Sequence, residues 1–192
     1  MILVTAGANV NLVTGGGRSA LQISAEDGSA EVVKILVDNK ANLDLVDECG
    51  RGALGSAAGK GFADVVKILV DKKANVNLVD TWGDSALHLC GSADVAKILV
   101  AAGAILDHVN DEGNSALQFA NEKIKWCREV AARNGGGGSG MAAGGGDIGY
   151  AAKELEEFVM VAKVLEAAKA NKEKSEKKFL AGLALIAADG LS

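Results

Sequence analysis

Two histidines and three cysteines are the side chains of this sequence best suited to metal or nucleophilic chemistry, and their spacing serves neither. His88-Leu89-Cys90 brings an imidazole close to a thiol. His108, however, stands alone, and Cys49 and Cys127 lie far off, so no cluster offers the four ligands of a structural zinc site. Gly15-Gly16-Gly17-Arg18-Ser19, ahead of a helical pattern, could cradle an anion with its amides. The lysine and following Ser/Thr of a phosphate loop are missing, and the stretch reads as a turn. Carboxylates are plentiful, but no arrangement nominates a pair for acid–base work. The sequence carries no enzyme signature, and no catalytic residue, metal ligand or cofactor is assigned.

The elements that hold these residues recur at a fixed period. Leu21, Leu54 and Leu87 stand 33 residues apart, each preceded by alanine. Each opening leads to a second block, Val33-Lys34-Ile35-Leu36-Val37, Val66-Lys67-Ile68-Leu69-Val70 and Ala96-Lys97-Ile98-Leu99-Val100. A third follows, Ala41-Asn42-Leu43-Asp44, Ala74-Asn75-Val76-Asn77 and Ala104-Ile105-Leu106-Asp107. A period of this size marks a helix–turn–helix solenoid, in which one unit cannot bury its apolar stripe alone. Ile35, Leu36, Ile68, Leu69, Ile98 and Leu99 are therefore expected to form one ladder between neighbours. The start, Ile2-Leu3-Val4 then Gly7-Ala8-Asn9-Val10-Asn11, reads as a half repeat. A fourth opening at Leu117 comes 30 residues after Leu87, because the third unit has lost residues between Leu89 and Ala93. That shortened corner is expected to distort the local stacking.

These blocks resemble the ankyrin-repeat family, whose unit runs from a Gly-started turn through T-P-L-H to a V-V-x-L-L helix and a G-A-D-V-N turn. The resemblance covers residues 1–134 and is irregular. The chain has no proline and reads Ser19-Ala20-Leu21-Gln22, Gly52-Ala53-Leu54-Gly55, Ser85-Ala86-Leu87-His88 and Ser115-Ala116-Leu117-Gln118. Serine supplies an N-cap oxygen that Gly52 lacks, so the repeat opened by Gly52 is expected to be the least well capped. Its helix also carries Gly55, Gly59 and Gly61. His88 falls on the family's T-P-L-H histidine, which serves local hydrogen bonding. The resemblance implies an all-α ankyrin-repeat solenoid that is not an enzyme and binds protein.

Composition narrows the classes further. With 49% hydrophobic and 4% aromatic residues, the core must be small and branched aliphatics. A net charge of −5 with no basic stripe argues against nucleic acid. Three unpaired-looking cysteines and no charged-then-apolar leader suit a reducing intracellular compartment, cytoplasm or organelle interior, and not secretion.

Residues 135–149 read as a glycine-rich linker. Beyond it, 150–192 shows two apolar series, Leu155, Phe158, Val159, Ala162 and Leu165, then Phe179, Leu180, Leu183 and Ile186, separated by a charged stretch. They predict a C-terminal helical pair, a hairpin whose greasy faces either cap the repeats or dock on a partner. A membrane-surface role is disfavoured by the mixture of Lys and Glu on the polar faces.

By the family pattern, the finger tips fall at Gly15, Gly16 and Arg18; at Glu48, Cys49 and Arg51; at Thr81, Trp82 and Asp84; and at Asp111, Glu112 and Asn114. Glu26, Asp27 and Lys60 lie on the inner helices beside them. These are the residues that the resemblance implies contact a protein partner. Trp82 is the leading candidate, either as an anchor for the partner or as packing on the next finger. The expected function is a non-catalytic scaffold, an adaptor or accessory subunit of a larger assembly. A regulatory or targeting domain cut from a longer protein is the alternative, as is an engineered fusion of repeats with a tethered helical segment.

Overall fold

The computed structural model describes residues 8–135 and 147–189. The helical half repeat expected at Ile2-Leu3-Val4 and most of the glycine tract lie outside the described residues. Six helices form three antiparallel pairs: α1 (Ala20–Glu26) with α2 (Ala30–Asp38), α3 (Ala53–Lys60) with α4 (Ala63–Asp71), and α5 (Ala86–Leu89) with α6 (Ala93–Ala101). Two longer helices follow, α7 (Ala116–Gly135) and α8 (Asp147–Asp189).

The first helices begin where the sequence places their caps. Ser19 accepts from the Gln22 amide at 3.1 Å and Ser115 from the Gln118 amide at 3.4 Å, whereas Gly52 makes no side-chain cap. α3 forms nonetheless because Ala53, Leu54, Ala57 and Ala58 are buried between its neighbours. The second helices stack through Leu36, Leu69 and Leu99, with Val33, Val66 and Ala96 one turn earlier, all buried. Ile35, Ile68 and Ile98, expected as equal partners in that ladder, are only half-buried. At the repeat turns, backbone amides reach back one unit. Asn42 donates to Asn11 Oδ1 at 2.8 Å, Asn75 to Asp44 Oδ1 at 2.9 Å and Ile105 to Asn77 Oδ1 at 2.9 Å.

The deletion after Leu89 shortens α5 to four residues. The chain leaves it at Cys90 in an extended conformation, and the Gly91 amide donates to the Ala58 carbonyl at 2.9 Å. A Cβ at Gly91 would lie 2.8 Å from the Gly59 carbonyl oxygen, so the third corner leans directly on the backbone of the second.

The C-terminal part differs from the hairpin that its two apolar series predict. α8 is one continuous helix of 43 residues. The intervening Asn171-Lys172-Glu173-Lys174-Ser175-Glu176-Lys177-Lys178 contains no glycine or proline. Its Lys and Glu are good helix formers, and Glu173–Lys177 is a favourable i,i+4 pair, so nothing stops the helix. The helical ends also reach into the predicted linker, since α7 includes Gly135 and α8 opens at Asp147, an acidic first residue suited to a helix N-terminus.

α8 packs on α7 and α6. Phe158 shares a cleft with Leu89 and Gly91, while Leu165 and Lys169 border Leu106 and Leu117. α8 therefore runs beside α6 in the same direction, as a second helix does in a regular repeat. Its sequence explains the placement. Val161-Ala162-Lys163-Val164-Leu165 matches Val95-Ala96-Lys97-Ile98-Leu99, and Val161, Ala162 and Leu165 are buried like Val95, Ala96 and Leu99. No V-V-K-I-L-V block follows Leu117, where the chain reads Ile124-Lys125-Trp126-Cys127-Arg128-Glu129-Val130, and the second helix of the fourth repeat is supplied from far downstream. Among the described residues, Asp107, equivalent to Asn11, Asp44 and Asn77, meets no backbone amide of a further turn. It instead accepts from Lys172 Nζ of α8.

Candidate functional site

Four fingers project from the base of the first helices, each closed by one isolated bridge: Val13–Ser19, Val46–Gly52, Val79–Ser85 and Val109–Ser115. The residue after each valine shapes the tip. Asp47 Oδ1 accepts from the Cys49 and Arg51 amides, both at 2.9 Å, and Asp80 Oδ1 from the Trp82 and Asp84 amides, both at 3.0 Å. Asn110 Oδ1 accepts from Glu112 at 3.2 Å and Asn114 at 2.9 Å. Each tip then turns through a left-handed glycine, as at Gly50 (φ 72°) and Gly83 (φ 75°).

Neighbouring tips are also bonded through the backbone. The Glu48 amide donates to the Gly16 carbonyl at 3.2 Å, Thr81 to Cys49 at 2.9 Å and Asp111 to Trp82 at 3.0 Å. Side chains add a second row: Gln22 Nε2 donates to Asp47 at 2.7 Å, Arg51 Nη2 to Asp80 at 3.1 Å and Asn110 Nδ2 to Asp84 at 2.8 Å. A buried histidine completes the joint between the last two fingers. His88 Nδ1 accepts from the Ser85 hydroxyl at 2.9 Å, while its Nε2–H donates to the Asn114 carbonyl at 3.0 Å. His108 stands edge-on to it, ring centres 5.5 Å apart, and donates to the Gly83 carbonyl at 2.8 Å. Burial holds the His88 imidazole below its ordinary pKa, so it works as a neutral bridging group.

This network divides the expected contact residues into two sets. Arg18 is paired with Glu26, Arg51 with Asp80, Asp84 with Asn110, and Asn114 Nδ2 with Glu122 at 3.1 Å. Their side chains hold the surface together. Glu48, Cys49, Thr81, Trp82, Asp111 and Glu112 stand exposed at the tips, with Lys60 and Asp27 exposed on the helices beside them. Trp82 is 53% exposed. Its backbone is bonded on both sides, but its indole is not folded away as finger packing. Cys49 is an exposed free thiol. Cys90 is buried, and burial pushes its pKa up to about 12, so it stays protonated and inert.

Helical pairs in the three full units, one-turn fingers and backbone bonds between successive fingers match what the spacing implies. A family model for ankyrin repeats, described as three copies, matches residues 1–80 and 54–134. The chain belongs to the ankyrin-repeat family. No curated protein matches it in sequence. Ankyrin repeats are generally modules of protein–protein interaction.

Sequence reasoning missed two features of this ankyrin surface. Asp47, Asp80 and Asn110 were not singled out, although they recur directly after Val46, Val79 and Val109. Val13, Val46, Val79 and Val109 themselves are 40–51% exposed, an apolar stripe with the period of the repeats. The signal is a valine held at one register of every unit, although each such valine taken alone carries no chemistry. The deleted corner also produces a cleft of about 360 Å³ where Lys60 meets Lys153, Glu154, Glu157 and Phe158 of α8.

Proposed function

We propose that this ankyrin array is a non-catalytic scaffold that holds a protein partner across its finger tips, with Trp82 as the anchor, and serves as an adaptor or accessory subunit of a larger assembly. The observation that carries the reading is an indole standing free on a finger whose backbone is already fixed to both neighbours. A preordered aromatic loses little entropy on binding and buries a large area, the combination that dominates interface energetics. The exposed tips around it are Glu48, Asp111 and Glu112, so the matching segment of the partner combines apolar with cationic side chains.

The test is parallel affinity capture with the parent chain and Trp82→Ala, followed by titration of the partner recovered. Truncation should weaken binding by about 2 kcal/mol, close to thirtyfold, with no change in melting temperature. Equal dissociation constants for the two proteins would remove Trp82 from the interface.

A further inference from the structure

We infer that the far end of α8 is an anchor for a lipid surface. α8 leaves the repeats at Lys172, the residue paired with Asp107, and every residue from Lys172 to Ala181 is exposed. Phe179 and Leu180 are 68% and 62% exposed, which the expected hairpin would have buried and the continuous helix does not. From there the chain reads Phe179-Leu180-Ala181-Gly182-Leu183-Ala184-Leu185-Ile186-Ala187-Ala188, with no polar side chain, and the helix continues to Asp189. A helix that docks in a protein groove has one apolar stripe and one polar face. This run has no polar face to leave in water, and hydrocarbon covers a helix on all sides.

The dimensions agree. Those residues span about 15 Å as a helix, half of the ~30 Å hydrocarbon core, and no helix among the described residues is long and apolar enough to cross a membrane. A run of that length can lie within the interface of one leaflet without crossing, which leaves Asp189 and the last carbonyls of the helix at the headgroup level. Lys and Glu mix along the polar face of the preceding apolar series, which argues against a membrane role there, but next to this run Lys174, Lys177 and Lys178 stand at i, i+3 and i+4, all exposed, and outnumber Glu173 and Glu176. Their ammonium groups sit where anionic headgroups would meet them, with the aliphatic stems free to extend along the interface. The inference uses α8 alone and stands or falls separately from Trp82.

The test is co-sedimentation of the full chain with vesicles of phosphatidylcholine and of phosphatidylcholine mixed with phosphatidylserine. We expect binding to both, stronger with phosphatidylserine, and a difference that shrinks as salt is raised. Leu180→Asp should lower the vesicle-bound fraction at least tenfold without changing the melting temperature. Replacing Lys174, Lys177 and Lys178 together by Gln should remove the preference for phosphatidylserine. The inference is overturned if neither vesicle carries the chain down, or if Leu180→Asp binds as the parent does. A dimer in sedimentation equilibrium that Leu180→Asp abolishes, without vesicle binding, would also overturn it and assign the apolar end to a second copy.

Discussion

Truncating Leu165 to alanine tests whether α8 is the second helix of the fourth repeat or a passenger on it. Leu165 is 3% exposed and borders Leu106 and Leu117, at the position held by Leu36, Leu69 and Leu99 in the other repeats. The change removes three carbon atoms from a buried site. At about 0.8 kcal/mol for each, the transfer loss is about 2.4 kcal/mol, and a cavity adds to it. At the end of an array α8 can shift to fill part of that cavity, which places the expected cost at about 2–3 kcal/mol, the lower part of the range for buried leucines. Because repeat stability is roughly a sum over neighbours, the loss should appear first as fraying of α7 and α8 and only then as a lower midpoint for the whole chain. Urea titration gives the midpoint, and hydrogen exchange resolves the helices. Amides of α7 should lose protection while those of α3 and α4 keep it. Leu180→Ala, at an exposed site, should stay within about 0.5 kcal/mol of the parent. If Leu165→Ala kept both the parent midpoint and the parent protection of α7, the assignment of α8 to the fourth repeat would be wrong.

Three other perturbations probe the rest of the array. Gly91→Ala drives a methyl group against the Gly59 carbonyl and should cost about 1–3 kcal/mol, read as a lower urea midpoint. Lys73 holds a left-handed conformation (φ 71°) where the third repeat has Gly103, so Lys73→Gly should stabilise by up to about 1 kcal/mol after the flexibility of glycine in the unfolded chain is deducted. His88 has a folded pKa below its ordinary 6.5, so the unfolded chain takes up its proton first. The His88 contribution to stability is complete above that value and is lost as pH falls towards the folded pKa. The melting temperature should therefore drop on acidification below pH 6.5. His88→Gln, with the residue that the fourth repeat carries as Gln118, should flatten that dependence while still capping the helix.

Much of this architecture could be read from the chain because each unit encodes itself locally. A serine cap in three of the four units, an apolar pair one turn apart and an Asx-shaped finger at Asp47, Asp80 and Asn110 recur at intervals of 33 or 30 residues, and each acts within a few residues of its own position. The exposed and engaged halves of the candidate surface could not be separated that way. Arg51 and Asp84 look like free tip residues until the next repeat places Asp80 and Asn110 beside them.

The tripeptide Lys-Ala-Asn marks the boundary most clearly. At Lys40-Ala41-Asn42 and Lys73-Ala74-Asn75 the lysine turns left-handed, the alanine is buried, and the asparagine amide bonds to the preceding repeat. At Lys169-Ala170-Asn171 the same three residues continue a helix, with Ala170 exposed. A left-handed lysine costs about 1–2 kcal/mol. The burial and the hydrogen bond offset that cost at both sites, but at Lys169-Ala170-Asn171 Asp107 takes Lys172 instead and the helix runs on to Asp189. The sequence by itself determined the repeat, its turns and its apolar ladder, because those rest on near neighbours. The tertiary structure decided that a distant helix completes the fourth repeat and then runs on beyond it, because the contacts that bend or release the chain there come from residues far away in sequence.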